Sequence, residues 1–487
     1  MSTRARRRNQ SRILKPKRNC WKIEPSNRVG VLIDASHYYR ALYETLLLAE
    51  EQVLILGWDT DSRVKLLQDD PNCPPFGEFL SQLLKQKPTL KIHILSWDYA
   101  FIYAFEREAL PKFKFEMIGD SRLEFILDNN HPLGASQHQK IVVIDDQIAF
   151  SGGLDITGRR WDTREHKGVD DRRIDPGGST YAPFHDVQVA VTGDAAKSLG
   201  DIARERWRIA TGLMLGSPSS QNSIWSDVAD VNFENVAVGI SRTLPVYQGR
   251  RPVYEVERLF QDMIAESRHC IYIENQYFTS DEIAKCLAKR LEEPDGPDVV
   301  LVLPCDNSGW LEENTMGILR ARALRRLSQA DRFNRLRVLH PIVPQLPEDK
   351  YLQVHSKVMI IDDSIVRVGS ANLSQRSMGF DSECDITIAA DENDFRPEVI
   401  ATIRQMRATL LGEHLDVSPD LIEKTLTETN SLSKTVDRLR GRERTLVDLD
   451  WRIPEWVDRM LPETELIDPP RPYRPWKIIR KWMSAHG

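Results

Sequence analysis

The 487-residue chain has no run of about 18 consecutive apolar residues, so the sequence offers no membrane-spanning helix. Positive charge is not in surplus either. With 66 Lys and Arg against 72 Asp and Glu, the formal net charge of −6 argues against a polycation that coats nucleic acid and leaves room only for a local basic site. The six cysteines (Cys20, Cys73, Cys270, Cys286, Cys305 and Cys384) form no CxxC pair, and no His/Cys spacing suggests zinc. They read as scattered free thiols in a reducing compartment. Eight basic residues lie between Arg4 and Arg18 with no apolar core after them, so neither a signal peptide nor a twin-arginine export signal is expected. What is present is a globular composition, 41% hydrophobic and 28% charged, long enough for about three domains or two fused ones with an extension.

The chain repeats itself. Residues 138–155 read HQKIVVIDDQIAFSGGLD and residues 355–372 read HSKVMIIDDSIVRVGSAN. Both fit H-x-K-x4-D-x6-G-[GS]-x-[DN], with His138, Lys140, Asp145, Gly152 and Asp155 matched at one constant interval by His355, Lys357, Asp362, Gly369 and Asn372. Two copies in register within a longer repeat leave coincidence negligible. Upstream of each copy a helical stretch (Ala35 to Glu51, Val253 to Arg268) runs into an apolar strand candidate (Val53 to Trp58, Ile271 to Gln276). A second strand candidate follows in each, Lys91 to Leu95 and Val299 to Pro304. The expected fold class is therefore α/β: two pseudo-twofold-related units, each a mixed β-sheet flanked by helices, with the active site between them. The expected division is a basic arm at 1–27, a first unit at 28–215, a Ser-rich connector at 216–231, a second unit at 232–412 and a C-terminal extension at 413–487.

Strand alternation puts His138 and Lys140 on one face, and His355 and Lys357 likewise, so each copy delivers one imidazole and one fixed cation to a strand end. Two of each, converging, suit phosphodiester chemistry. Lysines hold the charge that grows on phosphate oxygens, one neutral imidazole attacks phosphorus, and the other protonates the leaving alkoxide and then deprotonates the acceptor. The lysines supply the positive charge, so no metal or other cofactor is required, and no carboxylate cluster for Mg²⁺ or Ca²⁺ is evident. Neither copy carries both acid and base. The site must then lie between the units.

This arrangement resembles the phospholipase D superfamily, whose signature is the duplicated motif, over about 380 residues from Arg28 to Gly412. The resemblance is closest to bacterial proteins similar to eukaryotic lipid-cleaving phospholipase D. Its local marks are Gly152 to Asp155, Arg160-Trp161-Asp162, Pro183 to Val189, Ile271 to Phe278, Gly369 to Asn372 and Ser382-Glu383. It implies two phospholipase D-like units, with His138 as nucleophile, His355 as acid/base, and Lys140 and Lys357 on the phosphate. Asp155 and Asn372 are implied beside the phosphate and the lysines, and Ser370 as a further phosphate contact. Glu383 and Asp162 resemble the acidic residues that orient the histidines. Asp145 and Asp362 complete the catalytic signature; at strand ends, each before a second aspartate, they have a turn or salt-bridge role open to them as well. Glu274 and Asn275, at the end of a strand, either contact substrate or support the site. His185 reads as a structural histidine, His166 as solvated, and the loop with Asp170, Asp171 and Asp175 as a charged surface rather than a calcium site.

The resemblance implies a phospholipase D that cleaves the distal phosphodiester of a glycerophospholipid, with an alcohol able to replace water. A cardiolipin-synthase-like phosphatidyltransferase and a nucleic-acid phosphodiesterase are the alternatives. The expected partners are a phospholipid membrane surface and a water or alcohol acceptor. No nucleic acid is obligatory, and a monomer suffices for a complete site. The basic and aromatic end, Arg471 to Met483, either contacts anionic lipid or packs on the body. A cytoplasmic location, peripheral at the inner membrane face, is expected from the missing export signals.

Overall fold

The computed structural model describes residues 13–98, 108, 111–220, 222–305, 310–347, 349–390, 396–452 and 468–471. Residues 1–12 of the expected arm and the stretch from 472 onward lie outside the described residues. The first half carries strands β1 (Lys22–Ile33), β2 (Gln52–Gly57), β3 (Lys91–Trp97), β4 (Leu123–Asp128), β5 (Ile141–Ile144), β6 (Ile148–Gly152), β7 (Phe184–His185) and β8 (Val187–Thr192). Its helices are α1 (Ala35–Leu48), α2 (Phe76–Gln86), α3 (Pro111–Glu116) and α4 (Asp194–Thr211). The second half carries β9 (Phe233–Leu244), β10 (Val253–Tyr254), β11 (Cys270–Asn275), β12 (Asp298–Val302), β13 (Leu336–Ile342), β14 (Gln353–Val354), β15 (Lys357–Ile361), β16 (Ile365–Gly369), β17 (Glu383–Ala389) and β18 (Thr445–Asp448). Its helices are α5 (Glu255–Glu266), α6 (Asp281–Glu292), α7 (Trp310–Ala330), α8 (Gln375–Gly379), α9 (Pro397–Leu415), α10 (Pro419–Thr429) and α11 (Leu432–Leu439).

Each half builds the same ladder: three parallel strands followed by four antiparallel ones, β4-β3-β2-β5-β6-β8-β1 in the first and β13-β12-β11-β15-β16-β17-β9 in the second. The sequence suggested a separate sheet per unit. The structure joins them, because β1 and β9, both 12 residues long, pair antiparallel from Lys22↔Ile240 to Val29↔Phe233 and close one 16-stranded sheet. Both faces of this sheet are covered, which is why β2, β5, β12 and β15 carry continuous apolar runs (VLIL, IVVI, VVLV and VMII) rather than alternating ones. One core spans both halves beneath α4 and α9, through residues such as Trp207, Leu199, Ile403 and Leu410. On the opposite face α1 and α2 cover the first half, and α5, α6 and α7 cover the second.

Two expected boundaries fall inside elements. Residues 13–27 are not a free arm: Ile13, Leu14 and Cys20 are buried with α5 residues of the second half, Arg18 pairs with Asp262 at 2.7 Å, and β1 begins at Lys22. The 412/413 boundary cuts α9, whose Glu413 and His414 are buried. All six cysteines are free thiols.

Candidate active site

The motif strands enter the site through contacts made across the halves. The His138 amide donates to the Ser382 carbonyl (3.1 Å), and the His355 amide donates to the His185 carbonyl (2.8 Å). The short ribbon of β7 and β14, with Val354 opposite His185, makes the second of these clips. Each histidine is thus seated by the half that does not contain it.

The imidazoles follow the same exchange. His138 Nδ1 lies 3.0 Å from Glu383 Oε2, and His355 Nδ1 lies 2.6 Å from Asp186 Oδ2. The histidine side chains keep 15% and 10% exposure, whereas both carboxylates are fully buried. With Nδ1 engaged, Nε2 is the nitrogen left for chemistry in each ring, and the carboxylate fixes which tautomer offers it. Glu383 is braced further by Ser370 Oγ (2.5 Å) and Ser377 Oγ (2.7 Å), which both donate to it. Burial pushes the Glu383 carboxyl up to about 8 and that of Asp186 up to about 6. Burial, Lys140 and Lys357 together hold His138 well below its ordinary value. Burial, Lys357, Arg160 and Lys140 do the same to His355, with His138 adding to the shift. Both motif lysines act on both histidines, so the four motif groups share one confined space.

The lysines differ in their company. Lys140 Nζ pairs with Asp155 Oδ2 at 3.1 Å, and the other oxygen of Asp155 accepts the Trp58 amide at 2.8 Å. Lys357 Nζ donates to Gln276 Oε1 (3.0 Å) and to the His355 carbonyl, and lies 3.3 Å from His355 Nδ1. Burial brings the Lys357 ammonium down to about 7, with Asp186 opposing the shift. Asn372, the repeat-mate of Asp155, carries no charge to offer, and its Oδ1 is buried without a hydrogen bond among the described residues.

Several residues singled out from the sequence have other work. Asp145 accepts the amides of Glu50, Glu51 and Gln52, and Asp362 accepts those of Arg268, His269 and Cys270. Both sit at positive φ (51°) in the turn after their strand, about 17 Å of chain from the lysine at 3.3 Å per residue, so they anchor strand entries and do not reach the phosphate end. Ser370, expected as a phosphate contact, gives its proton to Glu383. Asp162 serves His166 (2.8 Å) and Arg173 (3.0 Å), not either motif histidine. Glu274 bonds Tyr272, His185 and His414, and Asn275 Oδ1 accepts the Tyr277 and Leu373 amides, so both support the site's frame. His166 is fully buried rather than solvated. The expected surface loop holds Asp170 on Arg172 and Asp175 on Arg159.

Sequence reasoning missed Asp186, Gln276, Ser377 and Arg160. Asp186 was legible in principle. It stands at the entry to β8 as Glu383 stands at the entry to β17, since Gly152 faces Gln188 and Gly369 faces Asp385. The loop between β6 and β8 is longer than that between β16 and β17, and the unequal interval hid the match.

Residues 260–407 match the family model described as cardiolipin synthase, phospholipase D-like domain. Phospholipase D A of Dictyostelium discoideum is 26% identical over 81% of this chain and 36% of its own length. Phospholipase D1 of Saccharomyces cerevisiae is 22% identical over 94% of this chain and 33% of its own. The chain thus spans about a third of the length of these two relatives. The fold is similar to that of phosphatidylserine synthase from Haemophilus influenzae Rd KW20, with a TM-score of 0.54 at 12% identity, over 86% of this chain and 96% of that one.

Proposed function

The chain is a member of the phospholipase D superfamily, and from that premise we propose that it is a phospholipase D acting on glycerophospholipids. It cleaves the distal phosphodiester to give phosphatidic acid and a free headgroup. The observation that carries the reading is the crossed pair of carboxylate-held imidazoles, each with a free Nε2, beside two buried lysines. His138 Nε2 attacks phosphorus while His355, protonated on Nε2, gives its proton to the departing headgroup oxygen. The P–O bond breaks as the P–N bond forms, leaving a phosphatidyl-histidine. His355 then takes a proton from water, whose oxygen displaces His138. An alcohol in place of water gives headgroup exchange. Lys140 and Lys357 neutralise the equatorial oxygens throughout.

The two clamps differ in length, and the shorter one supports His355 as the acid: Asp186 sits 2.6 Å from its histidine, Glu383 3.0 Å from His138. The NQYF and RWD segments and the names of the curated relatives support lipid as substrate. Attachment to a phospholipid surface belongs to the same proposal. No helix among the described residues is long and apolar enough to cross a membrane. A phosphatidyltransferase is the second reading, favoured by the family model matched at 260–407.

Purified protein with mixed phospholipid vesicles and a little ethanol should form phosphatidic acid and phosphatidylethanol, read by mass spectrometry. His138→Ala and His355→Ala should each lose both products, by about 10⁴-fold or more. Transfer to a lipid alcohol without hydrolysis would move the transferase ahead. No product from any headgroup would sink the lipid reading and send single- and double-stranded DNA into the assay.

A further inference from the structure

Behind His355 lies a second constellation that the phosphodiester chemistry does not use. His166 Nε2, His185 Nδ1, Asp34 and Glu413 Oε1 converge within 4.8 Å of one another, and all four residues are buried. His185 Nδ1 is 3.0 Å from Asp34 Oδ1 and 3.0 Å from Glu413 Oε1. His166 Nε2 is 3.1 Å from Glu413 Oε1 and 3.5 Å from Asp34 Oδ2. Each of these two nitrogens thus faces a carboxylate oxygen of Asp34 and one of Glu413. Donor atoms about 2.0–2.1 Å from a shared tetrahedral ion stand about 3.4 Å apart, and the four groups here, with their ligand atoms all within 4.8 Å of one another, are close enough to close on one ion.

We propose that Asp34, His166, His185 and Glu413 bind one divalent transition-metal ion of the zinc type in a closed, structural site that ties the two halves together.

Three further observations support this. The outer nitrogens of both rings point at carboxylates, His166 Nδ1 at Asp162 (2.8 Å) and His185 Nε2 at Glu274 (2.9 Å), the arrangement that orients metal-bound imidazoles. Asp34 Oδ2 is fully buried and takes no hydrogen bond among the described residues. The charge also fits once both imidazoles are neutral, as metal ligands must be: Asp34, Asp162, Glu274 and Glu413 are then faced by the guanidinium groups of Arg164 and Arg173, which leaves two negative charges for a divalent cation to meet in place of two imidazolium protons. Imidazole nitrogen in half the set selects against calcium and magnesium, which take oxygen ligands. Asp34, His166 and His185 come from the first half and Glu413 from α9 of the second. His185 also accepts the His355 amide and is followed by Asp186, so the ion would fix the strand that positions His355.

The proposal does not depend on the reaction. Full-length protein from zinc-supplemented culture should contain about one zinc per chain by elemental mass spectrometry. Stripping with a chelator should lower Tm by on the order of 5 °C or more, and added Zn²⁺ should restore it. Cobalt loaded in place of zinc should give the intense visible bands of tetrahedral Co²⁺. His166→Gln should lose the metal. If that variant does not fold, the cobalt spectrum of the wild type still decides. Wild-type protein without stoichiometric metal, whose Tm ignores Zn²⁺ and whose cobalt form shows no such bands, would overturn the site and leave two imidazolium ions holding the cluster.

Discussion

The two halves repeat the reactive pair but not what surrounds it. In the first, Lys140 has a carboxylate partner, Asp155, itself fixed by a backbone amide. In the second, the matching position is Asn372 and the lysine leans on neutral Gln276, so burial drives its ammonium down to about 7. The histidine clamps differ in the opposite sense: Glu383 is braced by two serine hydroxyls, while Asp186 takes its support from one backbone amide and from Lys357. The two copies thus keep identical histidine–lysine pairs while changing the neutral and charged neighbours around them. On the proposed function, an incoming phosphodiester would restore the charge that the second half lacks, so substrate binding and the protonation of Lys357 should favour one another.

The largest effects should come from the crossed carboxylates. Asp186→Asn and Glu383→Gln each change the carboxyl group that orients Nδ1, and turnover should fall about 10²–10⁴-fold with the fold intact. The two should separate in a quench experiment. On the proposed roles, Asp186→Asn slows the step that needs acid from His355, whereas Glu383→Gln slows attack by His138. With a substrate whose leaving group needs no proton, Asp186→Asn should recover and Glu383→Gln should not. Equal recovery of both would abolish the distinction between the halves.

Much of this was open to sequence reasoning because the repeat is local. Histidine, lysine and the glycine pair lie within 18 residues of one another, and both copies fall on adjacent antiparallel strands, β5–β6 and β15–β16. What escaped lies across long intervals. Asp186 reaches His355 from the other half, and Asp34, His166, His185 and Glu413 meet from four separate places with no spacing to betray them. The turn role of the signature aspartates was legible, since each stands at a strand end before a second aspartate. The joined sheet was hidden because β1 and β9 carry alternating and broken patterns, unlike the apolar strands they flank.

A smaller effect tests the lysines. Lys357 must be protonated to hold phosphate; with its ammonium near 7, it loses its charge as pH rises through that value in the free enzyme. Log kcat/KM should therefore bend downward on the alkaline side from about 7, while kcat, measured with phosphate bound, bends later. Asn372→Asp copies the first half into the second and should move the kcat/KM limb up by about one pH unit. A profile unmoved by this substitution would mean that the limb belongs to another group.

The smallest effect on chemistry is expected at Asp145 and Asp362, which the motif places beside the histidines and the structure places at the far ends of their strands. Each accepts three backbone amides, and an amide side chain can satisfy only part of that set. Asp145→Asn and Asp362→Asn should each lower stability by about 1–3 kcal/mol in urea unfolding, with the larger loss at Asp145, which is buried, than at Asp362, which is partly exposed. Turnover per folded molecule should stay within about twofold of the wild type. A large fall in kcat without a fall in stability would return these residues to the reaction. It would also mean that the two turns, so alike in geometry, transmit something to the phosphate end that their hydrogen bonds do not show.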